Sequence, residues 1–385
     1  MSDRFDVIVI GAGVVGSSAA YHLAKDKHRT LLIEQFEIGH ARGSSHGESR
    51  ILRLAYHRPE YARLVMQALP MWQSLEAECG QRLLRPSGGL DLTDKPDFHP
   101  HINAIVDCLS AVGAPFDVLN AQGLRARFPQ WCLGEAALGV YSPDTAILSA
   151  TRCVESLIQQ AARLGLAVHE KEPVTKVNAD PGQVEVTTSK GRYHARRLVI
   201  TGGAWVNTLL GDVRLHLPLR VLQEQYIYFR PRRNAELFAL GRFPIFIHWG
   251  SGDIGYGFPI LDNGGLKTGF HVDNYEVTPD TYDCRPRPSV TERVSAYLRR
   301  YLPDAAGEPF DAQTCLYTLT PDEDFVIDLV PGLPNVAVSS SCSGHGFKFG
   351  PAIGRALADL LAHGMTPMEI GHVRLRNFGS SIARA

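Results

Sequence analysis

Asp6 to Ile10 (DVIVI) is a short apolar run of the kind a strand buried on both faces needs, and it leads directly into a glycine turn. The turn is Gly11-Ala12-Gly13-Val14-Val15-Gly16, and VVGSSAAYHLAKD follows as a helix rich in small residues. Thr30 to Glu34 (TLLIE) reads as a second strand, completing a βαβ unit of about 30 residues. GxGxxG alone is a weak signal. Here it leaves a strand, opens a helix, and is followed by Glu34, 18 residues after Gly16, at the end of the next strand. That full context is a dinucleotide-binding fingerprint. Gly11 permits the tight turn, Gly13 lets the backbone approach a pyrophosphate, and Gly16 lets helix and strand pack closely. The pyrophosphate charge faces the helix N-terminus, and Glu34 is expected to hold ribose hydroxyls.

The chain has 385 residues, more than one hydrophobic core usually serves, so two domains are expected. Residues 151–164 put Val154, Leu157, Ile158 and Ala161 on one helical face, and the stretch to Thr201 ends in the apolar strand LVIT. Between about 218 and 283 come short aromatic segments, QYIYF, FPIFI, IGYGFP and GLKTGFHV, separated by Gly, Pro and Asn. These read as an antiparallel sheet. Ser289 and Glu292 have capping-box spacing, ahead of a helix with Val290, Val294, Tyr297, Leu298 and Tyr301 on one side. From about 318 the βα pattern returns, with NVAVSS as a strand and PAIGRALADLLAHG as a closing helix. The expected fold is α/β: a Rossmann-type dinucleotide-binding domain (1–84, 145–217 and 318–385) interleaved with an α+β, antiparallel-sheet substrate domain (85–144 and 218–317).

Lys plus Arg number 39 against 40 Asp plus Glu, so the chain lacks the basic footprint of a nucleic-acid binder. Arg230, Arg232 and Arg233 flank Pro231 and read as a solvated turn. No apolar run reaches the roughly 18 residues of a membrane helix, so no membrane partner is expected. The N-terminus enters a strand without the regions of a signal peptide. Seven cysteines without CxxC spacing argue against a disulfide framework and against a metal site, and point to a reducing compartment. The terminal Ala383-Arg384-Ala385 is no peroxisomal tripeptide, which leads to a cytoplasmic location as the expectation.

The fingerprint does not separate NAD from FAD, but three further segments lean towards FAD. Arg42 to Arg50 (RGSSHGESR) follows the second strand and offers N–H and hydroxyl groups to a flavin. Thr201 to Trp205 (TGGAW) ends a strand on paired glycines, a sign of close backbone approach to a ligand. Ser343 to Phe349 (SGHGFKF) directly precedes the last helix, whose N-terminus would stabilise negative charge on a reduced ring.

With VIGAGVVGSSAAYHLAK, RGSSHGESRILRLAY, GYGFP, GLKTGFH, CLYTLTPDEDF and SGHGFKF in this order, the chain resembles the monomeric sarcosine oxidase and pipecolate oxidase family, within the D-amino acid oxidase group of flavoproteins. The resemblance runs nearly end to end. It implies an FAD-dependent oxidase of a secondary amino acid (sarcosine, another N-methyl amino acid or L-pipecolate) that acts as a monomer. Hydride passes from substrate C–H to flavin N5, and the products are an imine and hydrogen peroxide formed from O2. It implies FAD bound covalently through Cys315, with Lys267 as the oxygen-activating lysine. Arg53 and Lys348 match the positions that hold the substrate carboxylate, where a fork and a point charge make a sensible pair. Arg50, Tyr256, His271, Tyr317 and His345 match residues lining flavin and substrate, and Ile247 falls beside the substrate. Cofactor contacts are expected from Gly11, Ala12, Gly13, Val14, Val15, Gly16, Glu34, Gln35, Arg42, Ser44, Ser45, His46, Arg50, Val174, Gly202, Trp205, Cys315, Gly344, Gly346, Phe347 and Lys348.

Two departures bear on the substrate. Ile247-His248-Trp249 stands where members differ, in a segment expected to border the substrate, so a bulkier or cyclic amino acid is in play. Val221 to Gln225 (VLQEQ) is also unlike the bacterial sarcosine oxidases. Two alternatives stay open: a dehydrogenase that passes electrons to a carrier, against which Lys267 argues, and a flavin-binding protein without turnover.

Overall fold

The computed structural model describes residues 4–250, 253–376 and 378. The terminal Ala383-Arg384-Ala385 lies outside the described residues. The first apolar run forms the strand Arg4–Ile10, parallel to Arg192–Ile200 on one side and to Thr30–Ile33 on the other. Ala167–His169 and Leu333–Ser340 extend the parallel sheet outwards. Val7 and Val9 join the core on one face of this sheet, while Ile8 and Ile10 join the core on the other. Burial on both faces explains why the run is apolar without alternation.

The helices Val14–Lys25, Ala150–Arg163 and Gly350–His363 supply the Val7 and Val9 side with Ala20, Leu23, Leu157, Ala161, Ala356 and Leu360. Small residues bring two of these helices together. A Cβ on Gly354 would lie 2.5 Å from the Ser18 Cβ, so the last helix packs there only as glycine.

A second eight-stranded sheet runs in the order Pro309–Leu319, Arg220–Phe229, Leu266–Phe270, Gly255–Phe258, Ile245–Trp249, Gly89–Thr93, Leu138–Ser142, Asp117–Asn120. Its pairings are antiparallel except one. The strands between 220 and 270 pair antiparallel as expected, and the one parallel step joins Ile245–Trp249 to Gly89–Thr93. The segments it joins are distant in sequence, so no hairpin dictates their direction.

The helix Pro288–Tyr301 buries Val290, Val294, Tyr297, Leu298 and Tyr301 as its spacing predicts. The expected capping box does not form. Arg287 is the N-cap and Pro288 opens the helix, so Ser289 is already inside the first turn. The sequence reading also passed over the helix Pro59–Cys79, which buries Tyr61, Leu64, Val65 and Trp72 despite Pro70 within it. No helix among the described residues is long and apolar enough to cross a membrane.

Candidate active site

The two sheets meet at a cavity of about 490 Å³, lined continuously from Ile10 and Gly11 to Phe347 and Lys348. At one end lies the glycine turn. Gly11 has φ +95°, and a Cβ there would lie 2.5 Å from the Thr201 carbonyl oxygen. Gly16 does not line the cavity. A Cβ on it would lie 1.8 Å from the Gly11 oxygen, so it serves the close packing of turn and helix. Glu34 accepts the amide of Ala12 at 2.8 Å and that of Phe36 at 3.0 Å, with His40 at 3.5 Å. Burial opposes its ionisation, but His40 and the two amides outweigh it and hold the carboxyl below its ordinary value. Gln35, Val174, Gly202 and Trp205 line the same end, and the Ser45 hydroxyl accepts the Val14 amide at 3.1 Å.

The other end is aromatic and cationic. Arg50 donates to the carbonyls of Ser49 and Ser44, both at 2.9 Å, which ties the Arg42–Arg50 loop around its own guanidinium. Lys267, fully enclosed on its strand, donates to the Ser49 carbonyl at 3.2 Å and hydroxyl at 3.1 Å. Its Nζ lies 4.0 Å from the centre of the Tyr226 ring. Burial, with Arg50 adding repulsion, pushes this amine well below its ordinary value. Lys348 donates to the Tyr56 hydroxyl at 2.9 Å and the His345 carbonyl at 2.7 Å, and burial lowers it in the same way. The Tyr56 hydroxyl is also 3.1 Å from His345 Nδ1. Burial pushes His271 down to about 4 and His345 well below its ordinary value, so both rings are neutral at neutral pH. Arg53, Tyr256, Tyr317, Cys315, Ile247, Ser44, Gly344 and Gly346 complete this end.

Besides Gly16, three expected contacts lie outside the cavity. Arg42 lies outside the cavity, exposed, with its guanidinium 5.1 Å over the Phe36 ring. His46 is buried but does not line the cavity; burial lowers it to about 3, and its Nε2 has no hydrogen-bond partner. His248 faces away from the cavity, because alternation on the strand Ile245–Trp249 sends Ile247 and Trp249 to the cavity side. It is enclosed beside Tyr297, whose hydroxyl is 3.1 Å from Nδ1. Sequence reasoning missed Tyr56, Ser49, Tyr226 and Asp91. Tyr56 stands in the quoted segment RILRLAY, but a tyrosine has no local signature that separates a cavity residue from a core one.

A family model described as FAD dependent oxidoreductase (DAO) matches residues 6–360. Human peroxisomal sarcosine oxidase is 35% identical over 384 residues, covering 98% of this chain and 97% of that one. Monomeric sarcosine oxidase from Bacillus sp. (strain NS-129) is 32% identical, covering 96% of each. The chain belongs to the sarcosine oxidase family of FAD-dependent oxidoreductases. Other members differ in substrate, since N-methyl-L-tryptophan oxidase from Yersinia pestis (strain Pestoides F) is 30% identical over 97% of this chain and 99% of its own. The open form of NikD, an unusual amino acid oxidase essential for nikkomycin biosynthesis, superposes with a TM-score of 0.86 at 25% identity, covering 97% of this chain and 98% of that one.

The residues of this family member fit FAD. The helix that begins at Val14 has no side-chain cap from Gly13, so its first amides remain partly available to a pyrophosphate. Glu34, ionised, offers carboxylate oxygens at the cavity end where an adenosine ribose belongs. At the far end Cys315 and Lys267 line the same continuous cavity. Burial pushes the Cys315 thiol up to about 11, with the Arg50 charge opposing.

Proposed function

We propose that this FAD-dependent enzyme oxidises a secondary α-amino acid: sarcosine, another N-methyl amino acid or L-pipecolate. The observation that carries the reading is that Arg53 and Lys348 line one aromatic chamber together with Cys315 and Lys267. A carboxylate drawn to the two cations brings the neighbouring carbon and nitrogen between Tyr256 and Tyr317, with Ile247 at the side. His271 and His345, neutral at neutral pH, offer hydrogen bonds without adding charge. Bound FAD would supply the two-electron acceptor: the substrate C–H gives up a hydride and its nitrogen a proton, O2 takes up both electrons and both protons as hydrogen peroxide, and water hydrolyses the imine. Lys267 and Arg50 supply positive charge where oxygen is reduced.

In this reading Cys315 carries the flavin covalently and the protein acts as a monomer. The chain divides into an FAD-binding domain (1–84, 145–217 and 318–385) and a substrate domain (85–144 and 218–317). Seven free cysteines support a reducing, cytoplasmic setting. The names of the human and Yersinia relatives support a methylated amino acid as substrate.

The test is oxygen uptake by the purified enzyme with sarcosine, N-methyl amino acids, L-pipecolate and L-proline. Uptake with peroxide in equal amount is expected for at least one. Turnover seen only with an artificial electron acceptor would make it a dehydrogenase, and no turnover with either would leave a flavin-binding protein.

A further inference from the structure

On the strand Gly89–Thr93, Leu90 and Leu92 enter the core of the second sheet. Asp91 stands between them and faces the other way, directly across from Ile247 on the neighbouring strand. It is 3% exposed, and a buried carboxylate is costly unless it is paired. One of its oxygens, Oδ1, is 3.2 Å from Arg53 Nη1 and accepts the Trp249 indole N–H at 3.1 Å. Arg53 and Trp249 both line the cavity, whereas Asp91 lies behind them.

From these contacts we infer that Asp91 is a positioning residue that locks the carboxylate clamp and an aromatic wall into one assembly, selecting α-amino acids with an apolar side chain. The inference rests on the amino acid oxidase reading above. Asp91 engages Nη1, which also donates to the Ala55 carbonyl, and leaves Nε and Nη2 as a side-on pair of donors for a second carboxylate. A fork held by a fixed partner loses less freedom on binding than a free one. The Trp249 N–H is consumed by Asp91, so the indole offers a ligand only its apolar ring. Behind it the His101 ring lies 4.0 Å away, with His57 5.5 Å from His101. Burial lowers His101 to about 4, so it brings no competing cation beside the clamp at neutral pH. The segment Ile247 to Trp249 thus acts on substrate choice through Trp249 and Asp91 together.

The experiment uses flavin-loaded wild type, Asp91→Asn and Asp91→Leu. Each is titrated with methylthioacetate, a carboxylate probe read by the flavin spectrum, and assayed with sarcosine and N-methyl-L-phenylalanine. Asp91→Leu should weaken the probe and raise KM by at least about tenfold, with kcat changed less. It should also narrow the preference for the phenylalanine derivative over sarcosine. Asp91→Asn keeps an acceptor for the indole, so it should bind the probe between the other two. It also serves as the test should the leucine variant not fold. Wild-type affinity in Asp91→Leu, or in Asp91→Asn where only that variant folds, or tighter binding in either, would overturn the inference alone. A wild type that rejects every amino acid with an apolar side chain overturns the selection. A wild type blind to the probe overturns the carboxylate reading, and this inference with it.

Discussion

Cys315 stands directly opposite Glu224 in the antiparallel register of the strands Pro309–Leu319 and Arg220–Phe229. Directly paired residues present their side chains on one face, about 5 Å apart at Cβ. Tyr226 and Gln313, the next pair on that face, are hydrogen-bonded at 2.7 Å, and both Tyr226 and Cys315 line the cavity. Glu224 is buried and accepts the Asp273 amide at 3.1 Å. Burial pushes its carboxyl up to about 8, with Arg287 opposing. A titratable carboxyl therefore lies beside the proposed attachment cysteine, within the segment Val221 to Gln225.

That carboxyl makes stability depend on pH in an unusual direction. Its folded-state value of about 8 exceeds the ordinary 4.5, so the folded state holds the proton more tightly. The contribution is complete below about 4.5 and is lost as pH rises through about 8. Urea unfolding at pH 6 and pH 8 should show wild type losing stability over this interval. Glu224→Gln should lose less. Identical pH slopes in the two proteins would remove Glu224 as the source.

Flavin should remain with the protein after acid denaturation, because Cys315 lines the same cavity as Lys267 and Arg50. Cys315→Ser should release all of it, while serine at Cys342 should not. The measurement is flavin absorbance in the acid supernatant together with the intact protein mass. A yellow supernatant and an unmodified wild-type mass would refute covalent attachment.

Replacing Lys267 with Met keeps the approximate volume and removes the amine. Reoxidation of the reduced enzyme, followed by stopped flow, should slow by roughly two orders of magnitude, a loss of the size seen when one preorganised charge is removed. The reductive half-reaction should change far less. Because burial depresses this amine, wild-type reoxidation should slow as pH rises and Lys267 loses its proton. In Lys267→Met that pH dependence should vanish. An unchanged rate at every pH would take Lys267 out of oxygen reduction.

Arg53→Ala and Lys348→Ala each remove one cation from the chamber. Loss of one charge-assisted hydrogen bond costs about 1.5–3 kcal/mol, roughly ten- to a hundredfold in affinity for methylthioacetate. Arg53→Lys should recover only part of this, since an ammonium cannot offer a fork. If both alanine variants bind the carboxylate like wild type, the substrate carboxylate is held elsewhere.

Much of this protein is legible before it folds. DVIVI, the three glycines and Glu34 specify strand, turn, helix and strand by local rules, and the chain forms them at Arg4–Ile10, Val14–Lys25 and Thr30–Ile33. The buried face of the helix Pro288–Tyr301 follows from its spacing in the same way. The loop Arg42–Arg50 shows where local reading ends. Ser44, Ser45 and Arg50 reach the cavity, but Arg42 stacks on Phe36 and His46 turns into the protein. Composition reveals that such a loop suits a ligand, not which of its side chains meets it.

The sequence by itself determined the first strand, turn, helix and strand, the dinucleotide site and the kinds of side chain available, because periodicity and glycine geometry act over a few residues. Tertiary structure alone decided which face of Ile245–Trp249 looks into the cavity. It also decided that Arg53 would pair with Asp91, 38 residues along the chain, and that Cys315 would meet Glu224. Those outcomes depend on the register and direction with which distant strands pair. Pairing is selected by the burial of whole faces at once, and no single residue announces it.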